Sequence, residues 1–161
     1  MTSTIKQTII LALAGAFLSA GLALAAPYAT GSKVDPFTAK DQHDQAFTFK
    51  PASTSFLLVS HDMETGKAAN AALNALGKEY LGGKQAVYLA NIHGMPGIGR
   101  TFALPKMRKY VHQIILGDDA ALIANFPEQK GKVTVLALSG GKVKSIAYWT
   151  PGTEGVDGYL K

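Results

Sequence analysis

The chain has 161 residues, 47% of them apolar and 17% charged, with a formal net charge of +5 and no cysteine. Every chemistry that needs a thiolate is excluded: dithiol exchange, peroxide reduction, cysteine-ligated metal and disulfides. The basic residues are scattered apart from "PKMRKYVH" (105–112), so the mild positive excess favours solubility and weak anion contact, not a nucleic-acid interface.

The chain opens on a targeting pattern. Lys6 precedes the apolar run "TIILALAGAFLSAGLALA", and Ala23-Leu24-Ala25 offers a small-x-small cleavage point before Ala26. This layout predicts a secretory signal peptide over residues 1–25, cleaved after Ala25, and a periplasmic mature protein of charge +4 once Lys6 is removed. The alternative is a retained anchor, because the run approaches the ~18 apolar residues that span a bilayer. Gly15, Ser19 and Gly21 within it favour cleavage, and with it no stable membrane insertion. "APYATGSKVDP" (26–36), rich in small residues, Pro and Gly, predicts a flexible linker. Residues 37–161 then form one domain, long enough for a hydrophobic core without disulfides.

"FTAKDQHDQAFTF" predicts a β-hairpin around the turn Gln42-His43-Asp44-Gln45. "STSFLLVS" is a short continuous apolar run, as in a strand buried on both faces. "ETGKAANAALNALGKEYLGG" (64–83) carries helical spacing, with Asp62 or Thr65 as cap and Gly82-Gly83 as terminator. "KQAVYLANI" (84–92) is a second strand, so strand, helix and strand make a βαβ unit with parallel, adjacent strands. "HGMPGIG" reads as a loop, "IGRTFAL" as a short helix stopping before Pro105, and "KMRKYV" as one further helical turn. "HQIILGD" is a third strand, and Ala120 to Ala124 a helical turn. "KVTVLALSGGKVKSIAYWT" is a hairpin turning at Ser139-Gly140-Gly141, and "EGVDGYLK" a short terminal helix.

Alternating strand and helix closed by an antiparallel hairpin gives an α/β fold with a mixed central sheet. The order resembles the thioredoxin fold, with the N-terminal hairpin of redoxin-type members and helices on both faces. "KDQHDQAFTF" resembles the hairpin that opens those proteins, and "GKVTVLALSGGKV" the one that closes them. Their reactive cysteines sit in the turn after the first central strand, here Ser60 to Glu64, and their cis-proline sits where this chain has Val133. "KDQHDQAFTF", "FLLVSHDM", "AVYLANIHGMP" and "TFALPKMRKYVHQIIL" together resemble a group of small exported bacterial proteins often labelled FAD/FMN-containing dehydrogenases. That resemblance covers nearly all of residues 36 to 150 and implies a flavin and an oxidoreductase activity. The glycines of "GMPGIG" do not have the G-x-G-x-x-G spacing of a dinucleotide turn.

Two His-x-Met triplets each follow one of the two parallel strands. Imidazole and thioether suit a soft ion such as Cu(I), so His61, Met63, His93 and Met95 form a candidate copper site at the ligand-binding edge of the sheet. The alternative is solvent-exposed loop histidines, with both methionines filling the core. Arg100, Lys106 and Arg108 are a candidate anion or partner site, against the alternative of a solvated basic helix face. His43 and His112 have no expected role. The leading expectation is a non-catalytic periplasmic binding or accessory module with no cofactor, whose partner is an unidentified protein or small ligand. The alternatives are a copper-binding protein and a flavin oxidoreductase.

Overall fold

A computed structural model describes residues 25–161. The expected signal peptide, with Lys6 and most of its cleavage pattern, lies outside the described residues. Seven strands form one sheet: β1 (Phe37–Asp41), β2 (Ala46–Phe49), β3 (Phe56–Ser60), β4 (Ala86–Asn91), β5 (Ile115–Gly117), β6 (Val133–Ser139) and β7 (Lys142–Trp149). Their spatial order is β2-β1-β5-β4-β3-β6-β7. β3 runs parallel to β4, and β4 parallel to β5; the hairpins β1–β2 and β6–β7 flank them antiparallel. Every residue of β3 is buried, as its unbroken apolar run predicts. The turn between β6 and β7 places Gly140 and Gly141 at φ 56° and 78°, where side chains are disfavoured.

Alternation along the strands builds two cores. On one face Leu58, Tyr88, Ile114, Val135 and Trp149 pack beneath α1 (Met63–Leu76), α2 (Tyr80–Gly83) and the end of α3 (Gly97–Met107). On the other, Leu57, Val59, Leu89, Ile115 and Leu136 pack beneath α4 (Ala120–Ala124) and the N-terminal segment. Among the described residues no helix is long and apolar enough to cross a membrane.

Three expectations need correction. Residues 26–36 are not a free linker. Val34 is buried, Tyr28 packs edge-on against Phe126, and Gly31 N–H and Val34 N–H donate to the carbonyls of Val143 and Gly141. Two apolar anchors among small residues show no periodicity, yet they suffice to dock the segment along β7. The first helix ends at Leu76, because Gly77 takes φ 92°; Gly82 and Gly83 close the separate turn α2. The third helix does not stop before Pro105 but continues to Met107. A proline this near the end deprives only the Thr101 carbonyl of its helical partner, and the chain leaves the helix two residues later.

Candidate functional site

The end of β3 divides two neighbours between the two faces of the sheet. Ser60 turns toward α1, where its Oγ lies 2.9 Å from the Tyr88 phenol oxygen. α1 passes close by at Gly66, where a Cβ would make ordinary contact with Ser60 Oγ at 3.4 Å. His61 turns the other way, with Nε2 3.0 Å from Thr134 Oγ1. The Thr134 hydroxyl donates to the Pro127 carbonyl, so it accepts from His61, and the imidazole proton resides on Nε2. Burial holds the His61 pKa below the ordinary histidine value and keeps the ring neutral.

Asp62 caps α1. One carboxylate oxygen accepts from the Thr65 N–H at 2.9 Å, the other from the Thr65 hydroxyl at 2.7 Å. Burial opposes ionisation of Asp62, but these hydrogen bonds outweigh it and hold the carboxyl below its usual range.

A cavity of about 260 Å³ opens between α1 and α3, over the carboxyl ends of β3 and β4. This is the edge where open α/β sheets accept ligands. Its apolar walls are Met63, Met95, Phe102, Ala103 and Met107, and Gly99 leaves room for the Met95 side chain, since a Cβ there would come within 3.2 Å of it. Ser60 and Asn70 are its buried polar groups; Lys67 and Lys106 stand at its rim. Phe102 is 65% exposed and Met63 48% exposed, so two large apolar side chains meet solvent at the opening.

Below the cavity sits His112, 1% exposed, with its Nε2 3.0 Å from Asn70 Oδ1. The amide oxygen can only accept, so His112 donates, and its buried Nδ1 is left without a partner. Burial alone lowers its pKa to about 4. Gln42 ties this segment to the first hairpin: its Nε2 donates to the His112 carbonyl, and its Oε1 accepts from the Ile114 N–H. Nothing was expected of His112, and neither Asn70 nor Gln42 stood out in the sequence. The signal was nonetheless there: in "HQIIL", period-2 alternation puts His112 on the face of Ile114 and Leu116, which is core.

The structure divides the candidate copper ligands. Met63 and Met95 line the cavity together, joined by Met107. His61 and His93 are not among its lining; His61 lies toward the opposite face against Thr134, and His93 is exposed on the turn after β4. The basic trio is not brought together either. Arg100 forms a two-pronged pair with Asp118 and donates to the Met95 and Ile92 carbonyls. Arg108 donates to the Gln42 carbonyl and to Asp44 at the hairpin turn. Both guanidinium groups fasten loops, and only Lys106 reaches the cavity. For a flavin, the start of α1 is poorly suited to hold a phosphate. Its Thr65 N–H is already engaged, and the engaging group is the Asp62 carboxylate, a like charge.

No protein-family profile matches the chain, and no curated protein resembles it in sequence. Solved structures do resemble it. A PrxQ mutant from Xylella fastidiosa is 10% identical, with 84% of this chain and 95% of that one covered at a TM-score of 0.57. A putative protein disulfide isomerase from Bacteroides thetaiotaomicron is 10% identical, with coverages of 83% and 86% and a TM-score of 0.55. A thio-disulfide isomerase from Thermus thermophilus is 18% identical, with coverages of 82% and 94% and a TM-score of 0.50. At these identities the likeness shows the fold alone: the chain is a thioredoxin-like domain with an N-terminal hairpin and helices on both faces, and it has no cysteine.

Proposed function

We propose that the protein is a non-catalytic, exported binding module whose site is the cavity between α1 and α3. One observation carries this reading. At the sheet edge where this fold presents its working groups, the chain keeps an open apolar cavity edged by exposed Phe102 and Met63, and it has no thiol to use there. The volume lies just below the range of about 300–1,000 Å³ typical of small-molecule sites, so a compact ligand fits. Export rests on the signal pattern of residues 1–25, and a mature chain beginning at Ala26 by mass spectrometry is its check. Binding is tested with the neutral fluorophore N-phenyl-1-naphthylamine. Its emission should rise with the wild-type protein, and Ala103→Trp, which fills the cavity from α3, should remove most of the rise. Equal emission with both proteins removes the cavity as the site.

A second reading, soft-metal binding, is favoured by Met63, Met95 and Met107 sharing one cavity. Titration with Cu(I) against a competing chelator tests it. Met63→Leu with Met95→Leu should abolish tight binding, and His61→Ala with His93→Ala separates the thioethers from the original four-residue set.

A further inference from the structure

The polar groups that face this cavity are unequally satisfied. Asn70 is 5% exposed and lines the cavity; its Oδ1 is held by His112. Its Nδ2 has no hydrogen-bond partner among the described residues, yet it is not among the atoms sealed from solvent. For so buried a side chain, the opening that reaches Nδ2 is the cavity itself. His112 is thus a positioning residue: by occupying the amide oxygen it turns the amide nitrogen toward the void.

Ser60 and Tyr88 add a second donor. Tyr88 is buried beneath the cavity, and Ser60 lines it. Either oxygen can donate across their 2.9 Å bond; when the phenol donates, the Ser60 hydroxyl proton is left for the cavity. The acceptor oxygens nearby each hold one internal hydrogen bond. Both Asp62 oxygens are held by Thr65, and Asn91 accepts from the His93 N–H while donating to the His61 carbonyl. The unpartnered hydrogen-bonding capacity of the buried floor thus includes the Asn70 amide donor.

Charge decides between a neutral and an anionic ligand head. Lys67 is paired with Glu64, and both are mostly exposed; Lys106 is exposed on α3. Both lysines line the cavity but are exposed, so solvent screens their charge, and the Asp62 carboxylate lining the same cavity opposes an anion. Burying a carboxylate without a paired cation costs far more than burying a hydrogen-bonded carbonyl. Resting on the reading of this cavity as a ligand site, we infer that its ligand is a small apolar ketone, ester or amide. Its neutral carbonyl oxygen accepts from Asn70 Nδ2–H and Ser60 Oγ–H, and its hydrocarbon body lies against Met63, Met95 and Phe102.

The test uses three probes of similar size on the mature protein: acetophenone, ethylbenzene and benzoate. Met63, Met95 and Met107 serve as methyl reporters by NMR, and the Asn70 side-chain amide protons report the hydrogen bond directly. Acetophenone should bind about five- to tenfold tighter than ethylbenzene, the worth of one net hydrogen bond, and should move the Asn70 amide protons downfield. Benzoate should bind more weakly than acetophenone. Asn70→Leu should abolish the preference for the ketone; if that variant does not fold, the amide shift in the wild-type protein decides. Methyl shifts with equal affinity for ketone and hydrocarbon, or a preference for benzoate, overturn the inference and leave the cavity as a binding site. No methyl shift with any probe removes both readings.

Discussion

The two faces of the sheet meet at the end of β3, and they treat their polar groups in opposite ways. On the α4 face, His61 is held by Thr134 and Thr134 by Pro127, and residues 28–34 dock through Tyr28 and Val34, leaving a cleft of about 630 Å³ between this segment and α4. On the α1 face, which Ser60 joins one residue earlier in the chain, Asn70 Nδ2 has no partner among the described residues beside an open cavity, and Phe102 and Met63 stay exposed. A hydrogen bond used up inside the domain contributes to folding; a buried donor left facing a void is available to something else. By that criterion the candidate site moves away from His61, Arg100 and Arg108, whose bonds are internal, toward Asn70 and Ser60.

The widest test of this contrast is stability. Leu57→Ala on the α4 face removes a fully buried side chain from the central strand and should cost about 3–4 kcal/mol in urea unfolding. Phe102→Ala on the open face removes a larger side chain, yet it should change stability by no more than ~0.5 kcal/mol. Comparable costs for the two would mean that Phe102 is packed and the open face is not open.

Next comes pH. His112 has a folded pKa lowered to about 4, against an unfolded value near 6.5. The unfolded chain therefore takes up a proton first. The contribution of neutral His112 is fully present above about pH 6.5 and is lost as pH falls toward 4. No carboxylate acts on the ring, and its ring neighbours are Tyr88 and Tyr110. Stability should fall by roughly 1–3 kcal/mol across that window, with His61 adding in the same direction. His112→Asn should flatten the slope whatever it does to stability at pH 7. An unchanged slope would show that His112 titrates normally and does not fix the Asn70 amide as a neutral donor.

Smaller still is the docked N-terminal segment. Val34→Ala removes two methyl groups from a buried position and should cost about 1–2 kcal/mol. If residues 26–36 behaved as a free linker, the substitution would be silent.

The framework was readable because it rests on local signals. Continuous apolar runs gave β3 and β4, turn residues gave both hairpins, and strand, helix and strand in sequence gave the parallel crossover. Asp62 was legible as a cap because capping is a matter of three residues. Competing signals blurred the helix ends: Gly77 and Gly82-Gly83 are equally good terminators, and Pro105 is tolerated where few helical bonds follow it. The site was largely hidden because its parts come from residues 60–70, 90–95, 99–110 and the segment around His112. Tertiary packing alone decides that His61 faces away from Met63, and that Asn70, an unremarkable polar residue on an alanine-rich helix, is buried above a histidine.

The finest test concerns Asp62, which links the two roles. Its carboxylate caps α1 and also lines the cavity. Asp62→Ala loses the cap and should cost about 1 kcal/mol. Asp62→Asn keeps the Thr65 N–H bond through its amide oxygen but loses the acceptor for the Thr65 hydroxyl, so stability at pH 7 should fall by about 0.5 kcal/mol, less than for Asp62→Ala. Because the folded pKa of Asp62 is lowered, its ionisation contributes stability above the unfolded value near 3.8 and loses it as pH falls through the folded one; the Asn variant lacks that acidic step. The cavity, however, loses its negative charge. Removing a like charge from the lining should raise benzoate affinity a few-fold and leave acetophenone nearly unchanged. If the ratio of the two affinities stays constant, the carboxylate is not felt inside the cavity, and its only work is at the start of the helix.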